Sequence, residues 1–290
     1  MINFDYRKPA SLEEAQNLRA EYGFASHFLM GGTDLTVEMD QGLLSPELLI
    51  DLKGIEAFKI IREESDELVI GAGVTFSELI KSSLIQHASP SLIEASKLVA
   101  SVGVRNVATL SGNICHAVPS ADGAAPLLIR DAILTVSSTT GSHSVSIHDF
   151  FQGPRKTVLS ENELITEIRI KKNKAKFGEH YLKLGRYRGE DLAQVGVAVS
   201  VDEKFQYKIA YAAVSPVPVR ICEAEEVLQS NRPNQPKIEK AIEIIKRTVS
   251  PIDDIRASKE YRLYMCGVMF EKALYAALER MQDAQSGKKS

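Results

Sequence analysis

Apolar and polar residues alternate along the first 60 positions in a way that predicts a small α/β unit. After Ser11, apolar side chains recur at helical spacing from Leu12 to Leu18, so they share one helix face. Short apolar runs at residues 27–30 and 48–51 are typical of strands. The predicted order is helix, strand, glycine loop, short helix and strand.

Two predicted helices begin with the same capping pattern. Ser11 is followed by Glu14, and Thr75 is followed by Glu78, each at a distance of three residues. In such a capping box the hydroxyl accepts from the backbone N–H of the glutamate, and the carboxylate accepts from the backbone N–H of the capping residue. We therefore expect one helix to begin after Ser11 and another after Thr75.

Beyond residue 60 the pattern predicts a second group of elements. A helix over residues 90–100 precedes residues 101–126, where the lack of periodicity predicts a loop. The segments that follow alternate as strands do, except for an amphipathic helix near the C-terminus. The expected strands are 67–72, 132–136, 144–147, 164–170, 195–201 and 207–214, and the C-terminal helix covers residue 258 to about 280.

Composition narrows the class of protein. Of 290 residues, 44% are hydrophobic and 25% are charged, which is typical of a folded chain of two or three packed units. The 35 basic and 38 acidic side chains give a net charge of −3, which argues against a nucleic-acid partner. No apolar run approaches the roughly 20 residues of a membrane span, and the N-terminus lacks a secretion signal. We therefore expect a cytoplasmic protein with no membrane span.

The cysteines argue against a metal centre on this chain. Cys115, Cys222 and Cys266 are far apart and form no Cys-x-x-Cys pair. A structural zinc site or a four-thiolate iron–sulfur cluster needs more thiolates at closer spacing. We therefore expect no metal ligands among these residues.

A glycine loop, Met30-Gly31-Gly32-Thr33-Asp34-Leu35, directly follows a predicted strand. Glycine allows positive φ and close approach of a ligand to the backbone. Successive N–H groups in one concavity bind anions, most often phosphate, although a plain turn explains the same residues about as well. The loop matches neither the P-loop nor the Gly-x-Gly-x-x-Gly fingerprint, so the common nucleotide-binding folds are disfavoured.

A second stretch concentrates small hydroxyl and amide side chains together with one carboxylate. It reads Val-Arg-Asn-Val-Ala-Thr-Leu-Ser-Gly-Asn-Ile-Cys from Val104 to Cys115 and continues to Pro119 and Asp122. Such side chains suit polar contacts with a ligand, and the carboxylate can accept hydrogen bonds from ribose-type hydroxyls. On local chemistry alone, a polar surface loop is an equally weighted alternative.

Together and in this order, the motifs resemble those of the FAD-binding (medium) subunits of the molybdenum hydroxylases, such as xanthine dehydrogenase and carbon monoxide dehydrogenase. The family's Ala-Gly-Gly-Thr-Asp/Ser-Leu motif corresponds to residues 30–35, and its Ile-Arg-Asn-x-Ala-Thr-Ile-Gly-Gly-Asn-Ile motif to residues 104–114. The remaining matches are Pro119 with Asp122, Gly153-Pro154-Arg155-Lys156, Lys183-Leu184-Gly185-Arg186, Asp191-Leu192-Ala193 and Pro216-Val217-Pro218-Val219-Arg220. The resemblance covers residues 1 to 285.

The resemblance implies an α+β fold. Two α/β subdomains of the PCMH/vanillyl-alcohol-oxidase FAD-binding type precede a C-terminal antiparallel sheet with helices. The implied boundaries are residues 1–58 and 59–172 for the FAD-binding subdomains and 177–285 for the C-terminal domain. The lysine-rich residues 171–176 are interpreted as a solvated linker.

The resemblance also implies which residues contact FAD. By the family pattern, residues 28–35 hold the pyrophosphate, residues 109–113 reach the other side of the cofactor, and three further positions complete the site. The implied cofactor-binding residues are Phe28, Leu29, Met30, Gly31, Gly32, Thr33, Asp34, Leu35, Thr109, Leu110, Ser111, Gly112, Asn113, Asp122, Ile165 and Lys183. Two residues depart from the pattern: Met30 replaces the usual Ala, and Ser111 replaces the first Gly of the Gly-Gly-Asn element.

The family's division of labour implies that substrate oxidation takes place on other chains. Molybdopterin is expected on a large partner subunit and [2Fe–2S] clusters on a small one, while FAD on this chain passes electrons to NAD or another acceptor. No catalytic acid, base or nucleophile is therefore expected here. Cys115 is interpreted as a packed or flavin-adjacent thiol, and His116 as a structural residue or one that tunes the flavin.

Two alternatives stay open at this level. A free-standing FAD-dependent oxidoreductase of the UDP-N-acetylmuramate dehydrogenase type has the same broad fold, but it predicts a substrate-protonating residue that the sequence does not reveal. A non-redox scaffold subunit that has lost FAD is favoured only by Ser111. The substrate of the complex (xanthine, another N-heterocycle, an aldehyde or carbon monoxide) is not fixed, although residues 216–220 and 255–262 most resemble xanthine dehydrogenase subunits.

Overall fold

The structure, a computed structural model, describes residues 3–187 and 190–286, with side chains described through residue 284. The strands are β1 (Asp5–Arg7), β2 (Ser26–Leu29), β3 (Leu48–Asp51), β4 (Ile61–Glu64), β5 (Glu67–Gly71), β6 (Ile133–Ser138), β7 (Gly141–Ser146), β8 (Phe151–Gly153), β9 (Lys156–Thr157), β10 (Leu164–Lys171), β11 (Phe177–Leu184), β12 (Val195–Asp202), β13 (Tyr207–Ala212) and β14 (Val219–Arg220). The helices are α1 (Leu12–Tyr22), α2 (Leu35–Asp40), α3 (Phe76–Lys81), α4 (Ser83–Ala88), α5 (Pro90–Lys97), α6 (Val102–Arg105), α7 (Leu110–Cys115), α8 (Ala124–Ile129), α9 (Ile147–Phe150), α10 (Cys222–Leu228), α11 (Gln235–Thr248) and α12 (Lys259–Ser286).

The first unit is a parallel sheet with strand order β1–β3–β2, packed against α1. The predicted helix, strand, loop, helix and strand are confirmed, and β1 is an addition that is too short and too exposed to give a pattern. The first capping box forms only in part. Ser11 accepts from the Glu14 N–H, but the Glu14 carboxylate accepts from the Ala10 N–H instead of the Ser11 N–H.

The second unit is an antiparallel sheet with strand order β4–β5–β10–β6–β7, with helices α3 to α8 packed nearby. The Thr75–Glu78 capping box is complete, and the predicted β6–β7 hairpin and β10 are confirmed. The loop predicted for residues 101–126 is wrong in part, because α6, α7 and the start of α8 lie there. Helices of four to six residues are too short to show a periodic pattern.

The third unit is an antiparallel sheet with strand order β11–β12–β13–β14, covered by α10, α11 and α12. The two strands predicted from residue 195 to residue 214 are confirmed as β12 and β13, and the C-terminal amphipathic helix is confirmed as α12. Alternate residues of β12 face this core, including Val195, Val197 and Val199.

A buried charged cluster holds the second and third units together. The Glu179 carboxylate on β11 is fully buried and accepts from the hydroxyls of Ser89 and Ser91 and from the Arg130 guanidinium. Burying a carboxylate is costly unless donors surround it, as they do here. The contact holds β11 beside α5, and Lys183 on the same strand donates to the Leu98 carbonyl at the C-terminal end of that helix.

The α+β class is confirmed, whereas the domain boundaries at residues 58, 172 and 177 stay a prediction. Among the described helices, none is long and apolar enough to cross a membrane.

Candidate functional site

The glycine loop connects the end of β2 to the start of α2, as its sequence predicts. Gly32 has a φ of +73°, a conformation that favours glycine, and a Cβ there would lie 2.7 Å from Leu29 Cδ1. The Gly32 carbonyl accepts from both the backbone N–H and the hydroxyl of Thr36, at 2.9 and 2.8 Å. These contacts fix the sharp turn by which the chain enters α2.

The turn leaves successive backbone donors without protein partners. In the described part of the chain, the N–H groups of residues 32–35 donate to no protein acceptor, and no side chain caps the start of α2. Adjacent N–H groups that follow a positive-φ glycine form a concavity suited to a phosphate oxygen. The loop can therefore hold an anion, which a plain turn with satisfied amides could not do.

Lys53 anchors the start of this loop, and sequence reasoning missed it. Its ammonium donates to the Met30 carbonyl at 3.1 Å and pairs with Asp51 at 2.9 Å. Asp51 is buried and also accepts from the Tyr6 hydroxyl. The only signal in the sequence is that Asp51 ends the strand predicted at residues 48–51 and that Lys53 follows two residues later.

The two glycine-containing stretches contact each other directly at Gly31. A Cβ at Gly31 would lie 2.4 Å from the Val107 carbonyl oxygen and 2.8 Å from Ala108 Cα. Both neighbours are backbone atoms, so no side-chain rotation could relieve the clash. Glycine at position 31 is thus required for the first loop to pack against the second.

The second stretch is organised around the start of α7. The Thr109 hydroxyl caps this helix by accepting from the Gly112 N–H at 3.1 Å. The Ser111 hydroxyl donates to the Ala72 carbonyl, and the Ala72 N–H donates to the carbonyl of Thr166, the residue after Ile165. Ser111 lies within the helix and is not among the described residues with positive φ. Replacing a glycine with serine at this position therefore causes no backbone strain.

Hydrogen bonds join Lys183 to Asp122, and Asn113 to the residue that follows Asp122. Asn113 Oδ1 accepts from the N–H of Gly123, the residue that follows Asp122, at 3.1 Å. The Asp122 carboxylate accepts from the Tyr181 hydroxyl and the Lys183 ammonium, each at 2.8 Å. Lys183 also donates to the Leu98 carbonyl at 3.0 Å. These hydrogen bonds bring together residues that belong to two different units and lie far apart in the sequence.

Burial controls the ionisation of this group. Asp122 is 7% exposed, and burial raises its pKa while the Lys183 ammonium opposes the rise. Burial beside Asp122 raises the pKa of Tyr181 well above its usual value, so Tyr181 stays a hydroxyl donor. Both Asp122 oxygens already accept protein donors, and a direct contact of Asp122 with FAD stays a prediction.

Thirteen of the sixteen predicted site residues fall into three groups, and the other three, Leu29, Gly31 and Gly112, form the loop contacts described above. Leu110 and Ile165 lie in the hydrophobic core, and Phe28 and Met30 pack against the core of the first unit. Thr109, Ser111 and Asp122 use their side chains to bind other parts of the protein. Unused donors are the N–H groups of residues 32–35, the Asn113 side-chain amide and the third Lys183 proton, none of which has an acceptor within the described chain.

Cys115 is the last residue of α7, and His116 follows it directly. Cys115 packs against the second core, and burial raises the pKa of its thiol to about 12, so it is not a thiolate at neutral pH. His116 Nε2 lies 3.0 Å from a carboxylate oxygen of Glu38 on α2. His116 thus bridges the elements that follow the two loops, which supports its interpretation as a structural residue.

The charged cleft at the β4–β5 turn gives no competing site. An open cleft of about 600 Å³ is lined by charged residues near the β4–β5 turn, including Glu64, Glu67 and Arg169, and it contains no residue of the two loops. Arg169 is paired with both of these glutamates. Within the described residues, no group of three His, Cys, Asp or Glu side chains is arranged to hold a metal ion.

Comparison with known proteins identifies the family. Residues 2–171 match the family described as the FAD-binding domain in molybdopterin dehydrogenase, and residues 180–277 match the CO dehydrogenase flavoprotein C-terminal domain. The chain belongs to the FAD-binding subunits of the molybdenum hydroxylases. It is an oxidoreductase subunit with an FAD-binding domain, which confirms the resemblance and disfavours the UDP-N-acetylmuramate dehydrogenase alternative.

Similar proteins cover almost the whole chain. It is 31% identical over 285 residues to the xanthine dehydrogenase FAD-binding subunit of Escherichia coli O157:H7, with 96% of this chain and 97% of that protein covered. It is 33% identical over 281 residues to the carbon monoxide dehydrogenase medium chain of Hydrogenophaga pseudoflava, with 96% and 98% covered.

Solved structures support the same fold. A carbon monoxide dehydrogenase structure from H. pseudoflava superposes with a TM-score of 0.92 at 34% identity, with 96% of this chain and 98% of that chain covered. Quinoline 2-oxidoreductase from Pseudomonas putida 86 gives a TM-score of 0.89 at 25% identity, with 99% and 98% covered.

Proposed function

We propose that this chain binds FAD between its two glycine-containing loops and serves as the electron-transfer subunit of a molybdenum hydroxylase complex. In this role it receives electrons from [2Fe–2S] clusters on a small partner subunit and passes them to NAD or another acceptor. Molybdopterin and substrate oxidation belong to a large partner subunit. The observation that carries the proposal is the row of unused N–H groups at residues 32–35, within a region that matches an FAD-binding family.

The first loop would hold the pyrophosphate. Its four N–H groups are those of the positive-φ Gly32 and of the three residues after it. They are preorganised by the Thr36 bonds to Gly32 and by the Lys53 bond to Met30. Preorganised donors bind more tightly because fewer groups lose freedom on binding. The Gly31 contact with Val107 then sets the spacing between this loop and the second one.

The second stretch would contact the cofactor through donors that the protein leaves unused. The Asn113 amide N–H groups are held in place by the bond from the Gly123 N–H to Asn113 Oδ1. The Lys183 ammonium is fixed by Asp122 and by Leu98, and one of its protons remains available. Asp122 therefore acts at least in part by orienting Lys183, which brings the C-terminal domain into the site.

When bound, FAD supplies the redox chemistry of the subunit, accepting and releasing electrons in one- or two-electron steps. The described residues bind and orient the cofactor, and we assign none of them as an acid, base or nucleophile. The substrate is left to the large subunit. Relatives named for xanthine, carbon monoxide and nicotinate are similar to this chain at 31%, 33% and 26% identity, so similarity favours no single substrate.

The proposal is tested in two stages with the full-length protein. The purified chain should carry flavin, or bind added FAD, and should transfer electrons from NADH to an artificial dye. The matched control is the same preparation stripped of flavin, in which dye reduction should disappear and then return when FAD is added. In the second stage, the complex that co-purifies with molybdopterin-bearing and iron–sulfur-bearing chains should have hydroxylase activity. A chain that binds no FAD would instead favour the scaffold alternative.

A further inference from the structure

Strand β11 presents alternate side chains to the second unit. Glu179, Tyr181 and Lys183 are each two residues apart, so their side chains point to the same face of the strand. Tyr181 packs within the core of the second unit, whereas Leu182 packs against the core of the third. Tyr181 therefore lies between the buried Glu179, which ties the two units together, and Lys183, which we assign to the FAD site.

The Tyr181 hydroxyl holds one oxygen of the Asp122 carboxylate. It donates to Asp122 Oδ1 at 2.8 Å, while the Lys183 ammonium donates to Asp122 Oδ2, also at 2.8 Å. Tyr181 is 2% exposed, and the side chains of Asp122 and Lys183 are 9% and 7% exposed. A buried carboxylate is costly unless donors surround it. Two bonds on different oxygens also fix the rotation of the carboxylate, which a bond from Lys183 alone would not do.

Gly196 on the neighbouring strand β12 leaves space for this hydroxyl. It pairs with Lys183 in the register of β11 and β12, and a Cβ at Gly196 would lie 2.8 Å from the Tyr181 hydroxyl oxygen. The next neighbours, Tyr181 Cζ and Ala212 Cβ, would both lie at 3.5 Å, which is an ordinary contact distance. Glycine inside a strand often marks a position where another group approaches closely. Here that group is the hydroxyl that binds Asp122.

The ionisation of both groups suits this bond. Burial raises the pKa of Tyr181 well above its usual value, so the hydroxyl keeps its proton and donates it. Burial also raises the pKa of Asp122, while the bonds from Lys183 and Tyr181 oppose the rise. Without the Tyr181 hydroxyl, Asp122 would lose a donor that favours its charged form, and its hold on Lys183 would weaken.

We propose that Tyr181 is a positioning residue of the FAD site, whose hydroxyl fixes the Asp122 carboxylate so that Lys183 presents its remaining proton to the cofactor. The inference rests on the proposed function and goes beyond it by giving a core residue of β11 a role in cofactor affinity. Tyr181 acts through Asp122 and Lys183, and Gly196 provides the space that its hydroxyl needs.

The first experiment measures the dissociation constant for FAD by flavin titration of the full-length apoprotein. In Tyr181→Phe this constant should rise by roughly five- to tenfold, because one hydrogen bond to a buried carboxylate is lost. The matched control is Tyr211→Phe. Tyr211 is fully buried on β13 of the same sheet, and its hydroxyl donates to the Cys266 carbonyl at 2.8 Å. The control loses a comparable hydrogen bond and a comparable amount of stability, but it should bind FAD as the wild type does.

A double-mutant cycle separates positioning from a general loss of packing. Asp122→Ala removes the carboxylate that Tyr181 orients, so adding Tyr181→Phe to this variant should change the dissociation constant by less than about twofold. Independent effects would instead multiply, and the same five- to tenfold rise would appear in both backgrounds.

Gly196→Ala tests the space beside the hydroxyl. Its Cβ would displace the Tyr181 hydroxyl, so this variant alone should also weaken FAD binding. Added to Tyr181→Phe, it should have no further effect, because only ordinary contacts remain. A further loss of affinity in the double variant would overturn the assignment of this space to the hydroxyl.

Three results would overturn the role of Tyr181 itself. They are wild-type affinity in Tyr181→Phe, equal weakening in Tyr211→Phe, and a full effect of Tyr181→Phe in the Asp122→Ala background. Wild-type affinity in Tyr181→Phe together with weak binding in Asp122→Ala would refute the positioning role and leave the FAD site intact. Absence of FAD binding by the wild type would refute the proposed function, and the positioning role with it.

Discussion

Gly31→Ala is the sharpest test of the packing between the two loops. The added Cβ would lie 2.4 Å from the Val107 carbonyl oxygen, whereas ordinary contacts begin at 3.4 Å, so the loops must separate by about 1 Å. Overpacking of this kind costs roughly 1–3 kcal/mol. The free protein can relax by moving the loops apart, but a cofactor held by both loops requires the original spacing. We therefore expect the dissociation constant for FAD to rise by roughly five- to 150-fold.

Flavin titration of the apoprotein measures this change, with the melting temperature as a check on folding. Gly103→Ala is the matched control, because a Cβ at that position in α6 would meet only Ser101 Oγ, at 3.8 Å. The control should bind FAD as the wild type does. Wild-type affinity in Gly31→Ala, with an unchanged melting temperature, would refute the conclusion that Gly31 sets the spacing of the site.

Four further substitutions test other residues. Gly32→Val should leave a folded protein largely free of flavin, because valine disfavours the positive φ of position 32 and so distorts the loop. Normal flavin content would show that this loop is not part of the FAD site. Asp122→Ala and Asn113→Ala should each weaken FAD binding by roughly tenfold to a hundredfold, and unchanged flavin titrations for both would leave the second stretch a structural feature only. Arg262→Met should lower the free energy of unfolding by about 3 kcal/mol, because Arg262 is 1% exposed and pairs with Asp254. Urea titration measures this change, and a loss below about 1 kcal/mol would contradict the structural role of Arg262.

The sequence predicted the first loop well because its determinants are local. A strand, two adjacent glycines and a short helix follow one another within 15 residues, and each gives its own signal. The second stretch was harder, since α6 and α7 are short, although their N-caps Ser101 and Thr109 are recognisable once the boundaries are known. Residue types alone could not show that the Thr109 and Ser111 hydroxyls bind the protein itself.

Patterns in the sequence do not reveal contacts between segments that lie far apart along the chain. Lys183 meets Asp122 only because β11 packs beside α5, a contact that the buried Glu179 carboxylate helps to fix. Likewise, Glu38 lies in no motif, and it pairs with Arg155, which lies 117 residues later in the chain. Family resemblance supplied Lys183 and Asp122 as candidate positions, but their pairing required the fold.

The flavin content of the purified full-length chain tests the central claim most directly. FAD released by denaturation and measured against protein concentration should approach one equivalent per chain, either as isolated or after incubation with added FAD. A protein that is folded, as judged by its melting transition, yet retains and binds no FAD would contradict the assignment of the two loops as the cofactor site.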